Sequence, residues 1–319
     1  MSKVSILIPV YGVEKYIARC AHSIFNQTYQ DIEIIFVDDA SKDKSIQILE
    51  EVIEQYPQIK PKVKIITHKT NMGLACARNS AVKAATGKYL IHIDSDDYVS
   101  DKFIEKLVTE AELKNADITV CNYIKETRHG LKKIEVPISL SHIEYTKMLL
   151  TRKTNVQIVF KLYNRNLYIR NNIEAIPGVN NGEDYSTVSR LSYNAKKICK
   201  VNDFLYYYNQ MNESSYTYHI TEKAIKEKIL AQKIIYDFFS SIEEKDLYAQ
   251  ALIDSFLYQK LSLFIASNIQ YYPIINNLYN DINILHSQLP LSHKIILTLA
   301  RFKFYRTIFS VIKIKKLIS

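Results

Sequence analysis

Over its first 125 residues the chain alternates between two hydrophobic periods. VSILIPVY (4–11), IEIIFVDD (32–39), VKIIT (63–67), KYLIHID (88–94) and DITVCNYI (117–124) are short, β-branched and nearly unbroken in hydrophobicity. That is the pattern of strands covered on both faces. Between them the apolar positions return at helical spacing. Ile17, Cys20, Ala21, Ile24 and Phe25 make one face, Ile46, Leu49, Val52 and Ile53 a second, and Phe103, Ile104, Leu107 and Val108 a third. Strand and helix in alternation predict an α/β fold: a Rossmann-like, mostly parallel sheet flanked by helices, with ligands taken at the carboxyl ends of the strands. Beyond about residue 140 the pattern becomes mainly helical with a loop-rich middle, and 220–289 reads as two or three amphipathic helices. No repeat and no Pro/Gly/Ser-rich linker interrupts it. The change in composition places a boundary near 215, between a sheet domain of 1–215 and a helical C-terminal region of 216–319.

Three of the expected strand ends carry unusual residues, and on a parallel sheet these ends share one edge. The first delivers Pro9 and Tyr11, the second Asp38 and Asp39, the fourth Asp94, Ser95, Asp96 and Asp97. Simpler readings exist for some of them: Tyr11 as a packing residue, and Asp39 or Ser41 as the N-cap of the next helix. The cluster at 94–97 is harder to explain so. Close carboxylates raise one another's pKa unless a cation or strong donors offset the repulsion. Oxygen ligands select a hard ion, Mg²⁺ or Mn²⁺, and Mg²⁺ takes one or two carboxylates and fills its other positions with water and phosphate oxygens. An EF-hand is excluded by Val99 at the position that needs glycine, by Lys102 at the ninth, and by a strand where a helix is required. The turn PVYGVEK has neither G-x-G-x-x-G nor G-x-x-x-x-G-K-[ST], so dinucleotide-binding and P-loop readings lose their support.

Composition adds limits. With 319 residues and 47% hydrophobic content the chain can bury one large core or two modest ones. Cys20, Cys76, Cys121 and Cys199 are widely spaced and form no C-x-x-C pair, which favours a reducing, cytoplasmic setting over a disulfide framework or zinc site. No run of about 18 apolar residues is present to span a membrane. The net charge of +9 is local: residues 290–319 hold seven Lys or Arg and no acid, leaving 35 basic against 33 acidic residues elsewhere. A near-neutral body does not read as a nucleic-acid binder. The basic tail, with Leu299, Phe302, Phe309 and Ile312 on one side of a helical wheel, admits two readings. One is a helix packed on the body; the other is peripheral contact with the anionic inner face of the plasma membrane.

SILIPVYGVEKYI, SIFNQTYQDIEIIFVDDASKDKS, NMGLACARNSAVKAATGKYLIHIDSDD, IVFKLYNR and NNGEDYS follow one another in an order and spacing that resemble the family 2 glycosyltransferases of GT-A fold, over roughly residues 3–215. The stretch DSDD looks like that family's D-x-D signature. The resemblance implies an inverting, metal-dependent enzyme that moves sugar from a UDP-sugar donor to a saccharide or lipid-linked saccharide acceptor, as in bacterial capsule or other surface polysaccharide assembly. It implies that Asp39 accepts from the uracil ring, that Pro9 and Tyr11 line the base pocket, and that Asp38 belongs with the nucleotide-sugar-binding residues. Arg78 would contact the nucleotide, Asp94 and Ser95 the ribose and diphosphate, and Asp96 the metal, Mn²⁺ or Mg²⁺. Asp184, in GED, would be the catalytic base, and Lys161 would approach the phosphates or the acceptor. Gly73 would provide a turn before its helix.

One departure stands out. LYYYNQMNESSYT has Asn209 where the family often has arginine, which puts a phosphate contact in doubt and keeps open a non-catalytic nucleotide-sugar or polysaccharide-binding protein.

Overall fold

The computed structural model describes residues 2–212 and 221–318. The chain begins β1 (Val4–Val10), α1 (Ile17–Phe25), β2 (Ile32–Asp38), α2 (Ser45–Glu54), β3 (Val63–Thr67), α3 (Leu74–Ala84) and β4 (Tyr89–His92). Then come β5 (Tyr98–Val99), α4 (Phe103–Lys114), β6 (Ile118–Thr127), β7 (Gly130–Ile134), α5 (His142–Leu150), β8 (Lys161–Asn164), α6 (Asn166–Arg170), α7 (Glu183–Asn194) and β9 (Ile198–Asn209). The five expected strands are all present. Every residue of β1 is buried, as its unbroken hydrophobicity requires for a strand with neighbours on both sides and helices on both faces.

The strands form one sheet in the order β3-β2-β1-β4-β8-β6-β9-β5, with β7 paired to β6. β3, β2, β1 and β4 are parallel, as expected. From β4 onward the sheet is mixed: β8 runs antiparallel to both β4 and β6, while β9 is parallel to β6. This reversal matters for the site. The carboxyl ends of β1, β2, β4 and β9 and the amino end of the inverted β8 all reach one edge.

The helix-cap reading of Asp39 and Ser41 is corrected, because α2 starts only at Ser45, with Lys44 at its N-cap position and no side-chain cap. The loop from 39 to 44 is longer than a capped turn and frees Asp39 for other partners.

The C-terminal half contains α8 (Glu222–Ser241), α9 (Lys245–Ala266), α10 (Tyr272–Asn276), α11 (Leu291–Arg301) and α12 (Tyr305–Ile318). The boundary near 215 lies outside the described residues; β9 ends before it and α8 begins after it. The two halves share a core. Leu150 and Tyr185 from the sheet side pack with Ile235, Phe239, Tyr248 and Leu252 from α8 and α9. A second cluster joins Leu257, Leu261 and Phe264 of α9 to Ile296, Leu297, Ala300, Ile308 and Ile312.

The tail up to Lys313 is therefore packed on the body. It is two helices, not one, with Lys303 at φ 61° in the break, so the single helical wheel drawn through Leu299 and Phe302 does not hold. Phe302 is 70% exposed. Among the described residues no helix is long and apolar enough to cross a membrane.

Candidate active site

A cavity of about 610 Å³ opens at the edge where these strand ends meet. Pro9, Tyr11, Asp39, Arg78, Asp94, Ser95, Asp96 and Asp184 all line it. Asp38 and Lys161 do not.

Asp39 is held by its surroundings. Its carboxylate accepts from the backbone N–H groups of Met72 (2.8 Å) and Gly73 (2.7 Å) and pairs with His68 Nδ1 at 2.7 Å. His68 is itself oriented by Ser80 Oγ at 2.8 Å from Nε2. A carboxylate offers about four lone-pair directions, so three protein donors leave room for one more from a ligand. Gly73 is thus more than a turn: its N–H holds Asp39, and at φ 90° it sits where a Cβ would lie 2.6 Å from Asn180. His68 carried no signal in the sequence, since a lone histidine after a strand has many uses.

Asp38 is a correction. It does not line the cavity, and its carboxylate accepts the N–H of Ser41 at 2.8 Å to shape the loop after β2.

The acid cluster divides in two. Asp97 is buried with each carboxylate oxygen engaged, accepting from Tyr206 Oη at 2.5 Å and from the N–H of Asn209 at 2.7 Å. It pins β9 to the end of β4. Burial, then Asp96 and Asp94, raise its pKa, with Tyr206 and Asn209 opposing. Asp94 and Asp96 face the cavity. Asp96 accepts from Asn212 Nδ2 at 2.8 Å, and burial followed by the charge of Asp94 pushes its pKa up to about 6. Asn209 braces the same loop, donating from Nδ2 to the Asp96 carbonyl at 3.1 Å. The departure at Asn209 is therefore a structural tie between β9 and the acid loop.

Arg78 links this cluster to the first turn of α7. It is almost fully buried on α3 and donates from Nη2 to Asp94 at 3.0 Å, with Asp184 at 3.5 Å and Glu183 at 3.9 Å. Burial alone would lower its pKa, but Asp94, Asp184 and Glu183 more than offset that and raise it. Its Nε and Nη1 are buried and have no hydrogen-bond partner among the described residues, which leaves both nitrogens to serve a ligand.

Asp184 sits in the first turn of α7, after Gly182 at φ 107°. The tight fit of this turn shows in Gly182, where a Cβ would meet Ala231 Cβ of α8 at 2.9 Å. The preceding loop is held from the same helix, with Glu227 accepting from the N–H groups of Asn180 and Asn181. Burial raises the pKa of Asp184; Arg78 lowers it and Asp94 raises it again. Among the described residues its Oδ1, which is buried, has no hydrogen bond.

Lys161 is the second correction. It is fully buried at the start of β8, donates to the Gln157 carbonyl at 2.5 Å, and lies over the Phe160 ring. Burial lowers its pKa to about 7, with Asp184 acting the other way. Lys161 acts on the site through the field it exerts on Asp184 and does not reach the cavity.

The remaining wall was not foreseen. Arg152, Lys228, Ala231, Gln259 and Ser262, from the end of α5 and from α8 and α9, close the cavity on the helical side. No local motif marks these residues, because tertiary packing alone brings them together.

A mixed sheet with acids at its strand ends, covered by helices and closed by a helical half, is the architecture of the GT-A glycosyltransferases. The chain matches the structure of Staphylococcus aureus TarS 1–349 in complex with UDP-GlcNAc with a TM-score of 0.72 and 22% identity, over 97% of this chain and 90% of that one. A mannosyltransferase from Pyrobaculum calidifontis, PcManGT, in complex with GDP-Man and Mn²⁺, matches at TM-score 0.51 and 14% identity, over 97% of this chain and 86% of that one. Residues 5–175 match the model of Glycosyl transferase family 2, more than half the chain, and the protein belongs to that family. The Bacillus subtilis glycosyltransferase EpsJ is 32% identical over 228 residues, 67% of this chain and 62% of EpsJ. The matches span about three fifths of the length of such curated relatives.

Proposed function

We propose that the protein is an inverting, divalent-metal-dependent transferase that moves a sugar from a UDP-sugar to a hydroxyl of a saccharide or lipid-linked saccharide in surface-polysaccharide synthesis. The observation that supports this most is the bridge made by Arg78, which brings Asp94 from the end of β4 and Asp184 from α7 to one buried cation beside one cavity. TarS binding UDP-GlcNAc favours a uridine donor. Tyr11, 44% exposed on the cavity wall, offers a ring face to the base, and Asp39 accepts from its N–H.

In the reaction the acceptor hydroxyl attacks the anomeric carbon as the bond to the diphosphate oxygen breaks. The electron pair of that bond leaves with the nucleotide, and the hydroxyl proton passes to Asp184. Arg78, with Nε and Nη1 unpartnered among the described residues, orients the nucleotide diphosphate and favours the ionised form of Asp184 against its burial. A base must hold its proton affinity near the working pH, and burial of Asp184 moves its carboxyl in that direction.

The donor set fits a divalent cation. Among the described residues no three His, Cys, Asp or Glu side chains gather as a closed cage. Asp96 and the neighbouring Asp94 instead offer the one or two carboxylates that Mg²⁺ or Mn²⁺ usually takes beside substrate phosphates. Such a cation, when bound, supplies positive charge to the leaving diphosphate.

The test uses calorimetric UDP binding with and without Mn²⁺, and UDP release during turnover. Asp96→Ala is expected to abolish the metal-dependent part of binding. Asp184→Asn is expected to keep UDP binding and lose ~10²–10⁴-fold in kcat. Wild-type turnover in Asp184→Asn would remove the base assignment. Saturable UDP-sugar binding without turnover on any acceptor would leave a binding protein instead.

The four unpaired cysteines suit a reducing cytoplasm. Phe302 and Phe304, exposed among Arg301, Lys303 and Arg306, give the tail a surface that suits an anionic membrane face. Co-sedimentation with vesicles containing anionic lipid, lost in Phe302→Ser/Phe304→Ser and at high salt, is the expected result; equal pelleting with neutral vesicles would exclude it.

A further inference from the structure

The helical wall of the cavity holds two cations that the transfer chemistry above leaves unused. Arg152 follows the C-cap of α5 and adopts φ 52°, the left-handed conformation that glycine usually supplies at this position. The cap is closed by Arg152 N–H to Leu149 O at 3.1 Å and Lys153 N–H to Met148 O at 2.8 Å. The side chain of Arg152 lines the cavity.

The guanidinium lies over the Tyr185 ring at 4.3 Å and donates from Nη2 to Gln259 Oε1 at 2.6 Å. Its Nη1 is buried and has no partner, and among the described residues it has no carboxylate at ion-pair distance. Gln259 turns its amide to the Lys228 carbonyl at 2.6 Å, so one neutral residue ties the two basic segments together. Lys228 lines the same wall. Burial and the nearby Arg152 both lower its pKa, against Glu183. Two like charges partly desolvated side by side cost free energy unless an anion joins them.

Their place relative to the proposed base is defined by α7. Glu183 and Asp184 meet Arg78 on the sheet side, whereas the next residue, Tyr185, stacks on Arg152, and the Gly182 turn faces Lys228 and Ala231. Asp184 thus stands between the nucleotide-side residues and the two cations, where the attacking hydroxyl must also lie. We propose that Arg152 and Lys228 form an oxyanion subsite that binds a phosphate or carboxylate group of the acceptor close to its attacking hydroxyl. A planar guanidinium fork beside a point-charge ammonium suits either oxyanion.

This subsite rests on the transferase reading, so the experiment separates the two. Wild type, Arg152→Gln and Lys228→Met are assayed for UDP binding and for donor hydrolysis without acceptor, which report the donor site alone. Transfer is then followed to three matched saccharides, one bearing a phosphate, one a carboxylate and one neutral. Each variant is expected to raise KM for the preferred charged acceptor ~10–100-fold, the range of lost charge-assisted hydrogen bonds, with kcat and donor hydrolysis held within about 2-fold. The phosphate and carboxylate arms identify the source of the anion, and Arg152→Lys is expected to recover part of the loss. Inorganic phosphate added to the full chain, with and without excess UDP, is expected to raise its melting temperature in wild type and not in Arg152→Gln. Equal loss on neutral and charged acceptors, or no phosphate effect on wild type, overturns the subsite. Absence of UDP binding and hydrolysis in wild type, with the phosphate effect intact, instead overturns the transferase reading.

Discussion

Gly182 decides where the proposed base sits. At φ 107° with Ala231 against the position of its missing Cβ, any side chain meets both backbone strain and a clash. Gly182→Ala is expected to lose ~1–3 kcal/mol of stability in denaturant titration, the usual cost of a non-glycine residue in such a conformation. Ala231→Gly in the same chain should recover only the steric part. Lys161 makes a second prediction, on pH. Asp184 works as its carboxylate, so kcat/KM should fall on acidification through a pKa above the ordinary carboxylate range. The Lys161 cation favours that carboxylate, and Lys161→Met should therefore move the acid limb to higher pH. Lys161 also links pH to folding. Its pKa is about 7 in the fold against 10.5 in the unfolded chain, so between these values the unfolded state holds one more proton. Stability should rise with pH across that window, a slope that Lys161→Met would remove. At this scale the sequence marked Asp39, Asp94, Asp96 and Asp184 as chemistry because each stands in a short local motif. It did not mark Asp38 as a loop anchor or Lys161 as buried, since direction around a strand end is set by residues far away.

Among the elements, the strands that could be read beforehand were the apolar ones of the first 125 residues, whereas the twelve-residue β9, with Lys200, Asn202 and Asp203 among its apolar positions, was not. β1, β2 and β6 have seven or more residues and declare themselves by composition. β8 and β5 have four and two residues and lie outside the regular strand–helix alternation, and with them the inversion of the sheet after β4 went unseen. The inversion brings the start of β8 to the acid-loop edge, and β9, running in the sense of β4, ends there too, giving Tyr206 and Asn209 their grip on Asp97. Tyr206→Phe leaves a buried carboxylate one donor short. It is expected to cost ~1–3 kcal/mol in thermal or denaturant unfolding, and a neutral effect would show that Asp97 is held by Asn209 alone. The amphipathic stretch 220–289 was legible as helices, whereas the face each presents to the sheet domain was not.

For the molecule as a whole, the sheet and helical halves are joined through Leu150 and Tyr185 against Ile235, Phe239 and Tyr248. A core shared in this way predicts one cooperative unfolding transition by circular dichroism and by intrinsic tyrosine fluorescence. Two separated transitions would show that the halves fold independently. A chain ending at residue 212 would leave Tyr185 and Leu150 uncovered, and it is expected to bind dye as a loosely packed species and to lose UDP-dependent stabilisation.

Glu227 reaches back from α8 to the backbone of Asn180 and Asn181, one residue short of the turn that aims Asp184. Hybrids that join the front half of this chain to the rear half of a relative therefore inherit an alignment problem. Unless the donor of the rear half carries an acid at the place of Glu227 and a small residue at that of Ala231, such a hybrid would still take up nucleotide while its proton acceptor points astray.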